Sequence, residues 1–202
     1  MYWLRARQEF AQDLGKVWTD ADQRLAMGRN TIEWAQVMRE RLQLDMPVEA
    51  VMDDTIQRVL RQYKEQLPLR PDALEAVQLA ARHFRVALAS GSPKPIIDEV
   101  MAITGLNQVF ETVVYGDDMP NGKPAPDVYL ETLRRLNVSP TRAVGVEDSG
   151  NGVRSLHNAG MWIIAAPSPG FPLAPEVTAL AHHTIQSLED FSVELVRGIT
   201  GS

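Results

Sequence analysis

Cysteine is absent from the 202 residues. Its absence excludes disulfides, thiolate metal sites and a cysteine nucleophile, and fits a reducing, cytoplasmic setting. No apolar run approaches the roughly 20 residues that cross a bilayer, so a membrane span is not expected. Positive charge is also scarce. Twenty Lys and Arg stand against 26 Asp and Glu, a formal net charge of −6, which leaves no basic stripe to neutralise nucleic-acid phosphates. The opening MYWLRARQEF has arginines but no apolar segment behind them, so a secretory leader is not expected. Internal repeats and low-complexity tracts are missing as well. What is present is 45% hydrophobic residues, enough for the core of one domain, or of one domain with an insert.

The chain changes character near Leu67. Before it, apolar residues recur at helical spacing over Tyr2 to Leu14, Thr31 to Leu42 and Val48 to Leu67, with no strand among them. After it, short apolar runs alternate with amphipathic helices: Val86 to Ala89, Val113 to Tyr115, Ala143 to Val146, Trp162 to Ala165 and a weaker Thr184 to Ile185. Such alternation predicts βαβ units and a parallel sheet. Pro68 and Pro71 mark the junction, because proline ends a helix and biases its predecessor to extended backbone. The expected organisation is therefore a helical part over 1–67 and an α/β part over 68–202.

In an open parallel sheet, ligands bind beyond the carboxyl ends of the strands. The run AVGVEDSGNGVRSLHNA, Ala143 to Ala159, delivers Glu147 and Asp148 to such an end. Adjacent carboxylates there suit a hard cation such as Mg²⁺, although Asp148 or Ser149 also reads as an ordinary helix cap. A second strand ends at Ser90-Gly91-Ser92, where hydroxyls and the amides entering a helix can cradle phosphate oxygens, or where Ser92 simply caps that helix. After the next strand Lys123 lies between Gly122 and Pro124, held in a rigid loop where its ammonium could serve as a fixed counter-charge. Trp3, Trp18 and Trp34 fall at helical positions that read as core, His157 reads as an exposed residue of the helix after the acidic pair, and His182 and His183 precede the last strand with no metal-ligand partners.

Together LASGSPK at Leu88 to Lys94, GKPAPDVYL at Gly122 to Leu130 and GVEDSGNG at Gly145 to Gly152 resemble the haloacid dehalogenase superfamily, in its sugar-phosphatase and β-phosphoglucomutase-like branch. The resemblance implies a Rossmann-like parallel sheet with an α-helical cap, Mg²⁺ as cofactor and a small phosphorylated metabolite, such as a sugar phosphate, as substrate. It implies phosphate contacts at Ser90, Gly91, Ser92 and Lys123, metal contacts at Glu147 and Asp148, and substrate contacts from the cap segment LAMGRNTIEW at Gly28 and Arg29. It also implies an aspartyl-phosphate intermediate discharged by water or, in a mutase, by an acceptor hydroxyl.

One family feature does not occur in these residues: a strand ending in Asp-x-Asp-Gly, whose first Asp is the family's nucleophile. Asp20-Ala21-Asp22 follows no apolar strand and reads as a helix start, and Asp53-Asp54 sits inside a helical pattern. Met1 to Leu4 looks like family sequence shortly after that motif. The expectation is a chain that lacks the first core strand, the central one flanked by the strands of Ser90 and Glu147. Such a chain folds poorly and is inactive as written; the alternative is a non-catalytic remnant that binds Mg²⁺ or phosphate weakly. A dehalogenase fits less well, since that branch needs no acidic pair for a metal.

Overall fold

The computed structural model describes residues 2–27, 29–168 and 170–201. It opens with four helices: α1 (Tyr2–Asp13), α2 (Asp20–Ala26), α3 (Thr31–Arg41) and α4 (Val48–Glu65). Two start signals are local chemistry. Thr19 and Asp22 close a capping box on α2, and Asn30 and Glu33 close another on α3, each satisfying backbone donors that a helix start leaves orphaned. Asp20-Ala21-Asp22 therefore stands at a helix start, and the Asp22 carboxylate is 5% exposed and engaged by Thr19 and Arg41.

The four helices share a core of Phe10, Trp18, Trp34, Met38, Val51, Ile56 and Val59, which also takes in Ile96 from the α/β half. Full burial of each such side chain contributes about 1.5–3 kcal/mol. Arg7 is an unusual member, 4% exposed with its guanidinium over the rings of Trp3 and Trp34. Burial without a carboxylate partner lowers its pKa to about 10.

The second half runs α5 (Ala73–His83), β1 (Ala87–Ser90), α6 (Lys94–Thr104), β2 (Thr112–Tyr115), α7 (Asp127–Leu136), β3 (Val144–Glu147), α8 (Gly150–Asn158), β4 (Trp162–Ala165), α9 (Pro175–Thr178), β5 (His183–Thr184) and α10 (Val193–Thr200). All strand pairs are parallel, as the alternation predicts. The strands form two sheets, β1-β2 and β3-β4-β5, rather than one. Val114 of the first sheet and Ile163 and Ala165 of the second share a core with Val128 and Tyr129 of α7 and Val153 and Leu156 of α8. Gly145 permits this packing, because a Cβ there would lie 2.2 Å from a Leu156 methyl.

The first sheet ends at β1 and the second at β3. Among the described residues the outer edges of β1 and β3 have no strand partner. The surroundings are underpacked: no residue of β1 or of the amphipathic α5 is buried, and Val146 in β3 is 44% exposed. No helix among the described residues is long and apolar enough to cross a membrane.

Candidate phosphoryl-binding site

Parallel strands put all their carboxyl ends on one edge, and there β1 ends at Ser90, β2 at Tyr115 and β3 at Glu147. The loops after β1 and β2 approach so closely that a Cβ on Gly116 would lie 2.8 Å from Gly91 Cα. Ser90 Oγ accepts from the Ser92 amide at 3.2 Å. Pro93, not Ser92, occupies the N-cap of α6 and makes no side-chain cap bond, so the Ser92 hydroxyl is not spent on capping.

Lys123 and Glu147 meet in an ion pair whose side chains are 13% and 9% exposed. Lys123 also donates to the Tyr129 hydroxyl at 2.8 Å, and that hydroxyl donates to Glu147 Oε1 at 2.6 Å. The other carboxylate oxygen accepts the Asp148 amide at 3.1 Å, the Ser149 amide at 3.3 Å and the Ser149 hydroxyl at 3.1 Å. Burial pushes the Glu147 carboxyl up, but the charge and hydrogen bond of Lys123, aided by Tyr129, outweigh it and hold the group below its ordinary value. Burial, reinforced by Glu147, raises the Tyr129 phenol well above its ordinary value, so it stays a neutral donor.

Both oxygens of Glu147 thus accept hydrogen bonds from protein groups. Asp148 differs: it is exposed, and one oxygen accepts the Ser168 hydroxyl at 3.0 Å. Among the described residues no group of three or more His, Cys, Asp or Glu converges as a metal cage. Asp148 does fit Mg²⁺ in the mode in which one or two carboxylates share the ion with substrate phosphate.

Gly152 makes room for the cluster, since a Cβ there would lie 2.0 Å from Glu147 Cδ. Gly152→Ala is therefore expected to cost about 1–3 kcal/mol by overpacking and to dislodge Glu147 from Lys123. Urea denaturation checks the cost; an unchanged midpoint would contradict it.

A cleft of about 440 Å³ opens at Lys123, lined by Arg24, Met27, Arg29 and Glu33 from the helical half and by Lys123, Pro124 and Asn151 from the other. Arg29, singled out in the sequence, stands here, with its Nε donating to the Leu25 carbonyl at 2.8 Å. Gly28 lies outside the described residues. Arg24, Glu33, Asn151 and Tyr129 join the site only in the fold; Arg24 precedes Gly28 and Arg29 by four and five positions in the sequence, the one hint there. Ser90, Ser92, Lys123 and Asp148 together present hydroxyls, amides, a fixed ammonium and a carboxylate around one edge. Groups of these kinds can bind a phosphoryl group and offset charge gathering on its oxygens.

Residues 3–160 match the family of haloacid dehalogenase-like hydrolases. Over 160 residues, 79% of this chain and 74% of the relative, the sequence is 31% identical to a phosphorylated carbohydrates phosphatase of Thermotoga maritima. It is 31% identical over 151 residues to hexitol phosphatase B of Escherichia coli K12, covering 74% of this chain and 68% of that one. The crystal structure of CbbY from Rhodobacter sphaeroides in complex with phosphate superposes with a TM-score of 0.79 at 25% identity, over 94% of this chain and 88% of CbbY. β-Phosphoglucomutase from Clostridium difficile gives a TM-score of 0.82 at 17% identity, over 99% and 90%, a likeness of fold.

Proposed function

Because the chain belongs to the haloacid dehalogenase-like hydrolases, we propose that it forms the cap (1–67) and the core (68–202) of a cytoplasmic, Mg²⁺-dependent phosphatase of small phosphorylated carbohydrates. The observation that carries this reading is the buried Lys123–Glu147–Tyr129 cluster, which fixes a cation at the strand edge beside the Arg-lined cleft. The phosphoryl group enters between the Ser90 to Ser92 turn and Lys123, while Arg24 and Arg29 face the sugar end. Glu147 serves as the positioning carboxylate of Lys123 and Asp148 as the metal's carboxylate. Bound there, Mg²⁺ would offset negative charge on the phosphoryl oxygens.

The nucleophile is a further matter. Both oxygens of Asp22 are engaged, by Thr19 and Arg41, and both of Asp117 by Thr31, while Asp54 lies within α4 paired with Arg58. The unpaired edges of β1 and β3 support a nucleophile carried on an additional strand between them. Its carboxylate oxygen would attack phosphorus as the sugar's ester oxygen leaves, and water would then hydrolyse the acyl phosphate, regenerating the carboxylate. The same unpaired edges favour one second reading, in which the 202 residues alone bind phosphate but do not turn it over.

Ligand-dependent melting tests the binding part. Sugar phosphate at 100 times Kd with Mg²⁺ is expected to add about 2.7 kcal/mol of stability. Lys123→Met abolishes the gain, and Asp148→Asn abolishes only its Mg²⁺-dependent portion. No shift with any phosphorylated sugar tried would overturn the site assignment.

A further inference from the structure

We propose that Asp117 is a positioning residue that holds the helical half against the α/β half and so sets the width of the cleft over Lys123. Asp117 lies on the turn Gly116–Asp118 after β2, and its two oxygens reach across 86 residues of sequence to a single residue of α3. Oδ1 accepts the Thr31 amide at 3.1 Å and Oδ2 accepts the Thr31 hydroxyl at 2.7 Å. Thr31 is the first residue of α3 and 2% exposed, so neither donor has water to fall back on. Its amide is one of those a helix start leaves without an internal partner, and a carboxylate at that end also gains from the helix dipole.

A second contact lies beside the first. The Cβ that Gly122 would carry is 3.4 Å from Asn30 Cβ. The two contacts involve Asn30 and Thr31 on one side and Asp117 and Gly122 on the other, immediately next to Arg29 and Lys123, which face each other across the cleft. Breaking the Asp117 contact therefore moves the arginine face relative to the ammonium without touching either. The consequence for catalysis rests on the phosphatase reading; the mechanical claim does not.

The protein has no cysteine, which gives the mechanical claim a direct readout. In the double variant Asn30→Cys/Gly122→Cys, the two Cβ atoms stand near the ~3.8 Å separation of a disulfide. The full chain carrying this pair is expected to cross-link readily under oxidised glutathione. Adding Asp117→Ala is expected to slow the cross-link about tenfold, on the scale of a lost charge-assisted hydrogen-bonded contact. Asp117→Asn, which keeps a carbonyl for the Thr31 amide, recovers part of the rate, and Thr31→Val, which keeps the shape of Thr31, slows it. Equal rates in the parent pair, Asp117→Ala and Thr31→Val overturn the proposal, as does a slowing that Asp117→Asn does not partly reverse. Failure of sugar phosphates to raise the melting temperature would sink the phosphatase reading while leaving these rates unchanged.

Discussion

Lys123→Met is expected to lower unfolding free energy by about 3–5 kcal/mol at neutral pH, and by much less in acid, because it strands the buried Glu147 carboxylate without its cation. The sign follows from the direction of the shift. In the parent protein the Glu147 carboxyl is held below its ordinary value of 4.5, so its contribution is complete above that pH and is lost as pH falls through the lowered folded value. In the variant, burial acts unopposed and favours the neutral acid. Parent and variant therefore converge as pH drops below about 4.5, where the carboxyl is protonated in the unfolded chain as well. Urea denaturation of both proteins at neutral and acid pH measures the two gaps. Equal losses at both would mean that the Lys123–Glu147 pair is not the source.

Adding an apolar strand ahead of residue 1 is expected to produce the second large effect. Among the described residues one edge each of β1 and β3 has no strand partner, beside half-buried β1 and exposed Val146. Pairing them would add about five ladder hydrogen bonds at a net ~1 kcal/mol each, on the order of 5 kcal/mol and a sizeable share of a domain's stability. The 202-residue chain is expected to melt at low temperature. A version extended by one apolar strand should melt cooperatively, with a midpoint higher by on the order of 10–20 °C. Circular dichroism melts of the two proteins decide it. A sharp transition of the unextended chain at ordinary mesophile temperatures, unmoved by the extension, would contradict this expectation.

The elements that the sequence made legible are those whose pattern is local. The four-residue strands were readable because each apolar run is bounded by turn residues, and the registers Ala87↔Thr112 and Val144↔Trp162 align the expected runs. Helix α2 showed only its start, since Asp20–Ala26 is too short to reveal a period. At the site, Ser90, Lys123, Glu147 and Asp148 could be grouped because parallel topology alone places strand ends together. Which way Glu147 turns could not be read, because two adjacent acids look alike until Lys123 and Tyr129 claim one of them. Tyr129 was hidden for a related reason: in α7 it counts as one more apolar residue of an amphipathic helix, and its hydroxyl becomes informative only beside the ion pair. Thr31 and Asp117 are each unremarkable locally, and only the fold brings them into contact.

The proposed phosphatase function makes this edge a phosphoryl-transfer site completed by a strand between β1 and β3. Phosphate release from a panel of sugar phosphates with Mg²⁺, by the chain as written and by a form extended with an apolar strand ending in Asp-x-Asp-Gly, tests it most directly. No release is expected from the first, and from the second a release that Lys123→Met and Asp148→Ala each abolish. Turnover by the unextended chain that Asp148→Ala abolishes, or no turnover by an extended form that melts cooperatively, would contradict it.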